Sequence, residues 1–310
     1  TKRGENSDLS GQILFARTMK EPSELRLKEL VKEIFIMDLK MGRTRQLTDH
    51  QTVSIRPEMS PVGNWMIYTS FIYHSKSKKR NADLFAYDLL TRERRILSHK
   101  KGLNLSGSFD EKGEKIYYTI RQGSMVDIFR IGLNGEGFER ITKGEFRKNS
   151  KNGRISHSEP AISPDGSRMA FVSDKEGRST LYIRDIEKSK DIQILQAGVF
   201  NTLARWSPNG RLLTFQGYLK GHFDIFTVDA NGENLRKISR AKNPAGLPAN
   251  NEYPSFSPDG RKIIFVSDRT GYNQIYVSDI DGKNLRRITY DTFHYFYPKW
   301  IQKVLPTTVD

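Results

Sequence analysis

The sequence lacks cysteine, long apolar runs and a motif for covalent catalysis. Without cysteine, disulfides, zinc–thiolate sites, iron–sulfur clusters and thiol nucleophiles are all excluded. No apolar run approaches the roughly 20 residues that cross a bilayer, so no transmembrane segment is predicted. Residues 1–11 are polar and contain no apolar signal-peptide core, so a signal was either removed earlier or never present.

Positive charge dominates the composition. The 310 residues contain 51 Lys and Arg against 36 Asp and Glu, which gives a formal net charge of +15 and predicts anionic partners. Hydrophobic residues at 36% and aromatic residues at 11% argue against global disorder. A chain of this length buries enough surface on folding to need no disulfide or metal for stability.

A turn motif repeats along the chain. Ser-Pro-Asp-Gly occurs at residues 257–260 and again at 163–166, and it recurs with substitutions at 60–63, 110–113 and 207–210. The copies lie 44 to 53 residues apart, a period typical of propeller blades rather than of helical repeats. Each repeat therefore corresponds to one structural unit.

Each repeat reads as four short strands joined by turns. In the best copy, the strands are predicted at residues 253–256, 262–266, 274–279 and 285–289. Pro-Asp-Gly and Asp281-Gly282 supply the turns, because proline presets φ and glycine accepts positive φ. The central runs are apolar on both faces, as in strands that are buried on both sides.

The two ends of the sequence complement each other. The first repeat starts directly at its second strand, at Gln12, while Tyr297–Trp300 near the other end resembles Tyr253–Phe256. We therefore predict an all-β fold: a six-bladed β-propeller of four-stranded antiparallel blades, closed when the C-terminal strand completes the first blade. Closure removes exposed sheet edges. The predicted propeller covers residues 11–301, with tails at 1–10 and 302–310; an all-β sandwich is the alternative.

The repeat resembles the TolB-type, WD40-like propeller repeat. Residues 257–289 carry nearly all of that pattern, and residues 163–182 and 207–232 carry parts of it. The resemblance implies a periplasmic or cell-envelope protein with a protein partner, Pal-like or another envelope protein. Only about ten residues precede the first blade, so we do not expect the separate N-terminal α/β domain of TolB in this sequence.

Catalytic motifs are absent from the sequence. There is no Gly-x-Ser-x-Gly, no His-Glu-x-x-His and no phosphate-binding glycine loop. Asp279–Tyr290 superficially resembles a calcium loop, but its twelfth position is Tyr290 instead of glutamate, so a hairpin turn is the better interpretation. No catalytic residue is predicted, and the sequence favours a non-enzymatic protein.

Aligned repeats place a hydrogen-bonding residue at the start of every first strand. The six residues of this ring are Ser54, Asn104, His157, Asn201, Asn251 and Tyr295. Because the innermost strands of a propeller line its channel, we predict that the ring surrounds one channel mouth, together with Glu159 and Glu252. It would bind a cation, waters or an inserted peptide end; alternatively, polar residues simply begin these strands. The family resemblance implies that the channel can hold calcium, with Glu252, Glu159 and His157 as candidate ligands.

Long basic loops are predicted on one face. The loops between second and third strands share a face with the links between blades, opposite the Pro-Asp-Gly turns. The candidate binding cations there are Lys76, Lys78, Lys79, Arg80, Arg147, Lys148 and Lys151. Residues 23–31 predict a short amphipathic helix. Alternatively, these lysines only keep the chain soluble. Nucleic acid is not an expected partner, because aromatic residues are sparse in these loops.

Two functions fit the sequence. The first is a monomeric, non-catalytic protein-binding scaffold of the cell envelope, which uses the basic face and the polar mouth to bind an acidic protein or an anionic polymer. The second is a metal-dependent propeller enzyme, a polysaccharide lyase or hydrolase, with His157, His294, Glu252 or Glu159 at the channel. The first is favoured because the repeated strands require no chemistry.

Overall fold

The computed structural model describes residues 9–20, 31–75, 78–146, 153–194 and 197–302. Within these residues the chain forms 24 β-strands and no helix, which confirms the all-β prediction, and so no helix there could cross a membrane. The predicted tails, 1–10 and 302–310, lie almost entirely outside the described residues.

The described strands form five sheets: four four-stranded antiparallel sheets, and one of eight strands in which a single parallel bridge between Ala82 and Leu103 joins two four-stranded antiparallel halves. With each half counted as one blade, the arrangement is consistent with the predicted six blades. Blade 1 is ordered β24-β1-β2-β3, and blades 2 to 6 follow as β4–β7, β8–β11, β12–β15, β16–β19 and β20–β23. The strand bounds are β1 Gln12–Thr18, β2 Lys32–Asp38, β3 Thr44–Gln46, β4 Ser54–Met59, β5 Trp65–His74, β6 Lys79–Asp88, β7 Arg94–Ser98, β8 Leu103–Phe109, β9 Lys115–Gln122, β10 Met125–Gly132, β11 Glu139–Arg140, β12 His157–Ile162, β13 Arg168–Ser173, β14 Thr180–Asp185, β15 Lys190–Gln193, β16 Phe200–Trp206, β17 Leu212–Leu219, β18 His222–Asp229, β19 Arg236–Lys237, β20 Asn251–Phe256, β21 Lys262–Ser267, β22 Gln274–Asp279, β23 Arg286–Arg287 and β24 Tyr295–Ile301.

The ring closes through blade 1. Strand β24 pairs antiparallel with β1, with Gln12 opposite Ile301 and Arg17 opposite Tyr295. The indole nitrogen of Trp300 donates to the Ser10 carbonyl oxygen at 3.0 Å. The first strand of each blade contacts that of the next, and β24 contacts β4. These contacts confirm the predicted closure by the C-terminal strand.

The Ser-Pro-Asp-Gly motif forms the turn between the first two strands. In blade 4, the Ser163 hydroxyl donates to Asp165 Oδ1 at 2.5 Å and accepts from the Arg168 amide at 2.9 Å. Gly166 has φ of +73°, a backbone conformation that other residues adopt at a cost. The motif repeats because each of its residues has a separate structural role in this turn.

Buried carboxylates hold the outer strands to the blade. The third strands of four blades carry, at equivalent positions, acidic side chains that are at most 1% exposed: Glu33, Asp83, Asp127 and Asp224. In blade 3 the Thr142 hydroxyl donates to Asp127 at 3.2 Å and accepts from the Ile128 amide at 2.9 Å. Ser239 makes both contacts in blade 5. This explains why repeats end in an apolar residue followed by serine or threonine.

The core lies between the blades. One cluster joins Phe15 and Phe35 of blade 1 to Ile264 and Val277 of blade 6. Packing of this kind buries both faces of each central strand, which agrees with their continuous apolar sequence.

The closing strand predicts a stability effect. Trp300 is 6% exposed and packs in the cluster shared by blades 1 and 6. We expect Trp300→Ala to lower the free energy of unfolding by about 4 kcal/mol, because it leaves a cavity. Trp300→Phe loses mainly the hydrogen bond to Ser10, at a cost of about 1 kcal/mol. Urea denaturation measures both, and equal effects would contradict a packing role.

Candidate functional site: the central channel and the basic face

The predicted ring of polar residues is buried. The strand registers confirm that its members are equivalent, but Ser54, Asn104, Asn201 and Asn251 are 0% exposed and Tyr295 is 4% exposed. The prediction that these side chains line the mouth is therefore wrong for these five.

Ser54, Asn104, Asn251 and Tyr295 hydrogen-bond to neighbouring groups instead, whereas the side-chain amide of Asn201 is buried without a hydrogen-bond partner in the described structure. The Asn104 amide donates to the Ala82 carbonyl oxygen at 2.7 Å and accepts from the Ser98 hydroxyl at 2.8 Å. His157, which is half-buried, lies with Nδ1 3.5 Å from Asp127 Oδ1 of the preceding blade. The ring thus helps to hold adjacent blades together.

A bulge in each first strand decides which residues reach the channel. The registers shift immediately after the ring position, and the residue at the bulge has a positive φ between 52° and 57° in five blades: Arg56, Glu159, Leu203, Tyr253 and Tyr297. Four of these five precede proline, which lacks an N–H and is tolerated at bulges and edge strands. Arg56, Leu203, Tyr253 and Tyr297 line the narrow central channel.

An ion pair spans the channel at this level. Arg56 of blade 2 and Glu159 of blade 4 lie 3.0 Å apart, and their side chains are 16% and 14% exposed. The second Glu159 oxygen accepts from the Leu203 amide of blade 5 at 2.8 Å. Burial disfavours the charged form of Arg56, but the Glu159 carboxylate outweighs it and raises the pKa of Arg56. Arg56 therefore stays charged.

Two tyrosines complete this layer. The rings of Tyr253 and Tyr297 have centroids 4.2 Å apart, and the Arg56 guanidinium lies 5.5 Å from the Tyr297 ring. The backbone amide of Tyr253 donates to Gln216 Oε1 at 2.8 Å. Burial and the neighbouring Tyr297 raise the pKa of Tyr253, so its hydroxyl stays protonated.

A second charged layer lies two residues further along the first strands. Glu58 of blade 2 accepts from Lys299 of blade 1 at 2.5 Å and lies 3.4 Å from Arg205 of blade 5. Blades 2 and 5 face each other across a six-membered ring, so the Glu58–Arg205 pair crosses the axis. The cavity between the layers is only about 20 Å³, room for about one water molecule.

The candidate metal ligands do not converge. Glu159 is paired with Arg56, and His157 lies against Asp127. In the described part of the chain, no three His, Asp or Glu side chains form a group that could hold a metal ion. The three residues predicted as calcium ligands therefore do not fit a shared calcium site in this arrangement.

Glu252 is half-buried beside the tyrosine layer. Burial and the nearby Asp268 charge raise the pKa of Glu252 to about 7, while a hydrogen bond with Tyr253 opposes this shift. Glu252 is therefore only partly ionised near neutrality, because burial and then the Asp268 charge disfavour its charged form.

Exposed cations occur in several described loops at the end of the blades where the basic face is predicted. Lys78, Lys79 and Arg80 are exposed at the tip of the β5–β6 hairpin, where Lys79 lies opposite His74. Other exposed cations at this end of the blades are Lys20, Lys100, Lys101, Arg121, Lys143, Lys175, Arg178, Lys220, Arg240 and Lys242. The exposed carboxylates described at this end are Asp49, Glu145, Glu176 and Asp291.

Several predicted basic-face features lie outside the described residues. These are the cations Lys76, Arg147, Lys148 and Lys151. Most of the helix predicted for 23–31 also falls there. The channel layers are a feature that sequence reasoning missed. The sequence feature that marks these layers is a proline at the same position of four of the six first strands. The four proline pairs are 56–57, 159–160, 253–254 and 297–298.

The comparisons with known proteins agree with this geometry. The sequence model of the TolB beta propeller domain matches residues 144–304, just over half of the chain. The chain belongs to the TolB β-propeller family. The family match explains the repeated turn and strand pattern along the chain.

Relatives and solved structures extend the comparison. The Tol-Pal system protein TolB of Desulfotalea psychrophila is 34% identical over 103 residues, which are 32% of this chain and 22% of that protein. A TolB homolog of Chlorobaculum tepidum is 30% identical over 136 residues, 44% of this chain and 29% of that protein. The chain thus matches less than a third of either relative.

The fold itself is shared with a crystal structure of TolB from Acinetobacter baumannii. The two superpose with a TM-score of 0.75 at 18% identity, over 94% of this chain and 66% of the other. This likeness supports the propeller architecture.

The Arg56–Glu159 pair predicts a large coupling energy. Glu159→Gln leaves a half-buried guanidinium without its carboxylate and should cost about 3 kcal/mol of unfolding free energy. The double variant Glu159→Gln with Arg56→Met should lose much less unfolding free energy than the sum of the losses in the two single variants. Urea denaturation of the double-mutant cycle measures this. The more exposed Arg94–Asp49 pair, at 3.3 Å, is the control and should couple more weakly; equal coupling in both pairs would contradict the prediction.

Glu252 predicts a pH dependence of stability. Its folded pKa of about 7 exceeds the ordinary value of 4.5, so the folded state binds the proton more tightly. Its contribution to stability is therefore full below about pH 4.5 and is lost as pH rises through about 7. Glu252→Gln should remove this loss.

Urea denaturation at about pH 5 and about pH 8 tests the Glu252 prediction. The variant should gain stability relative to the wild-type protein at the higher pH. The exposed Glu145→Gln variant is the control and should follow the wild-type profile. Parallel profiles for Glu252→Gln and the wild-type protein would contradict the prediction.

Proposed function

We propose that this TolB-family propeller is a non-catalytic binding scaffold of the cell envelope. Its basic face binds an acidic protein segment or, failing that, an anionic envelope polymer. The envelope location and a Pal-like protein partner are proposals supported by the Tol-Pal name of one relative. We further propose that it acts as a monomer in the periplasm.

The observation that carries this proposal is the excess of exposed cations at one end of the blades. Lys78, Lys79 and Arg80 project together from one hairpin, and the described loops around them expose far fewer carboxylates than cations. Charges of one sign on one face raise the local concentration of anionic partners and speed encounter.

In this proposal, the side chains of the channel layers orient the bound segment. The bulge residues Arg56, Tyr253 and Tyr297 replace the buried ring as the groups that line the channel below this face. Because two ion pairs cross the axis, a bound segment would rest on the mouth and hydrogen-bond there. It would not pass through the ring.

A metal-dependent enzyme is not favoured by any contact among the described residues. His294 accepts through Nδ1 from the Asn273 amide at 3.2 Å, and burial followed by the nearby Lys32 charge lowers the pKa of His294. Glu159 and His157 are engaged as described above. The side chains proposed for catalysis therefore act first as structural contacts.

Reversing the hairpin charges tests the proposed face. We expect Lys78→Glu, Lys79→Glu and Arg80→Glu together to weaken partner binding by well over tenfold, because three attractive charges become repulsive. The matched control is Lys40→Glu, Lys112→Glu and Lys188→Glu, three exposed lysines at the other end of the blades.

The measurement is capture from an envelope extract on immobilised protein at about 0.05 M and about 0.3 M salt. Electrostatic contacts weaken over that range. A specific acidic protein retained by the wild-type and control proteins, but lost by the hairpin variant, is the expected result. Equal retention by both variants would overturn the assignment.

A further inference from the structure

The end of the blades opposite the basic face holds a funnel-shaped cavity. Its volume is about 690 Å³, within the range of small-molecule sites. The rim is formed by the turns between first and second strands: Pro61, Pro164, Pro208 and Pro258 line it. Since these turns lie at the far end of the strands from the long loops, the funnel is separate from the basic face.

The floor of the funnel carries unbalanced positive charge. Arg205 and Lys299 share one carboxylate, Glu58, so the three groups together have a charge of +1. Their side chains are 20%, 24% and 10% exposed, so solvent screens them less than it screens the surface loops. A single monoanionic group would neutralise this cluster.

The floor has open space beside the charged groups. The strand registers put Ser108, Ala161 and Ser255 at the positions equivalent to Glu58, Arg205 and Lys299 in the other three blades. These three small residues also line the cavity. The side of the floor away from Glu58 can therefore admit a ligand group next to Arg205.

Two indole rings form part of the wall. Trp206 and Trp300 line the cavity, and their indole nitrogens donate to the carbonyl oxygens of Ala161 and Ser10, at 2.8 and 3.0 Å. Trp300 is 6% exposed, so Trp206, which is half-buried and has the Arg168 guanidinium 4.7 Å from its ring centroid, offers most of the indole surface.

Two carboxylates stand at the rim and limit the charge of a ligand. Asp110 accepts from the amides of Glu114 and Lys115 at 2.8 and 3.0 Å, and Glu111 is exposed. With them the formal charge of the cavity lining is −1, which disfavours a dianion such as phosphate and confines a monocarboxylate to the floor beside Arg205 and Lys299.

We propose that the funnel binds a ligand through its carboxylate group, which pairs with Arg205 and Lys299. The apolar part of the ligand contacts Trp206, and its polar remainder faces the rim. A peptide C-terminus and a uronic acid both carry this group, and the experiment separates these two sources.

The test is a titration of the purified full chain, followed by tryptophan fluorescence and calorimetry. The probes are N-acetyl-trialanine with a free C-terminus, its C-terminal amide, glucuronic acid and its methyl ester. We expect saturable binding of at least one acid, and at least about tenfold weaker binding of its uncharged counterpart, since a charged hydrogen bond is lost. The acid that binds identifies the source.

Variants of the floor sharpen the test because they change affinity in opposite directions. Arg205→Gln and Lys299→Gln should each weaken acid binding about tenfold, while Glu58→Gln should strengthen it severalfold, because the floor charge rises. Lys262→Gln, outside the funnel and paired with Asp279 at 2.7 Å, is the matched control. If the floor cluster serves only to close the channel, no variant should bind an acid more tightly than its uncharged counterpart.

Two results would overturn the proposal. One is equal binding of each acid and its uncharged counterpart, or no saturation by any probe up to about 20 mM. The other is weaker acid binding by Glu58→Gln than by the wild-type protein. The first comparison uses the wild-type protein, so unfolding of a variant cannot obscure it. The hairpin triple variant should bind the acid normally, which separates this proposal from the proposed function.

Discussion

The pairing of β24 with β1 is the interaction on which the rest of the structure depends. It joins the two ends of the described chain in one blade, and it places the first strand of every blade around one axis. Tyr297 and Lys299 are part of the closing strand itself. Without that strand, Tyr253 would lose its aromatic neighbour and Glu58 would lose its lysine, so both charged layers of the channel require closure.

The bulges direct side chains into the channel, and these side chains fill it. An innermost strand has one edge without a partner strand, and unpaired backbone donors there are costly unless they are removed or satisfied. Proline removes a donor at four bulges, and the preceding residue takes a positive φ. Charges placed near the axis would be costly alone, but Arg56–Glu159 and Glu58–Arg205 pair across it. The channel is filled by opposed side chains from distant repeats.

The sequence predicted the blades and their closure because those features are local. A turn such as Ser163–Gly166 and a strand such as β21 are specified within a few residues, and the repeat multiplies the signal. The channel residues were predicted incorrectly because the prediction assumed that side chains alternate between the two faces along the whole first strand, without a bulge. An extra residue reverses which face a side chain occupies, so Asn251 is buried and Tyr253 lines the channel. The pairing of Arg205 with Glu58 depends on which blades oppose each other, which sequence spacing alone does not reveal.

The plugged channel makes the two ends of the propeller distinct surfaces. The long-loop end exposes many cations and few carboxylates in the described loops, whereas the funnel end combines a positive floor with an acidic rim. No continuous aqueous path of useful width joins them in the described structure, since about 20 Å³ remains between the layers. The side chains of the layers are the contacts that lie between the two ends along the axis. Pro57 separates Arg56 from Glu58 on one strand, so a shift of β4 would disturb both ion pairs together.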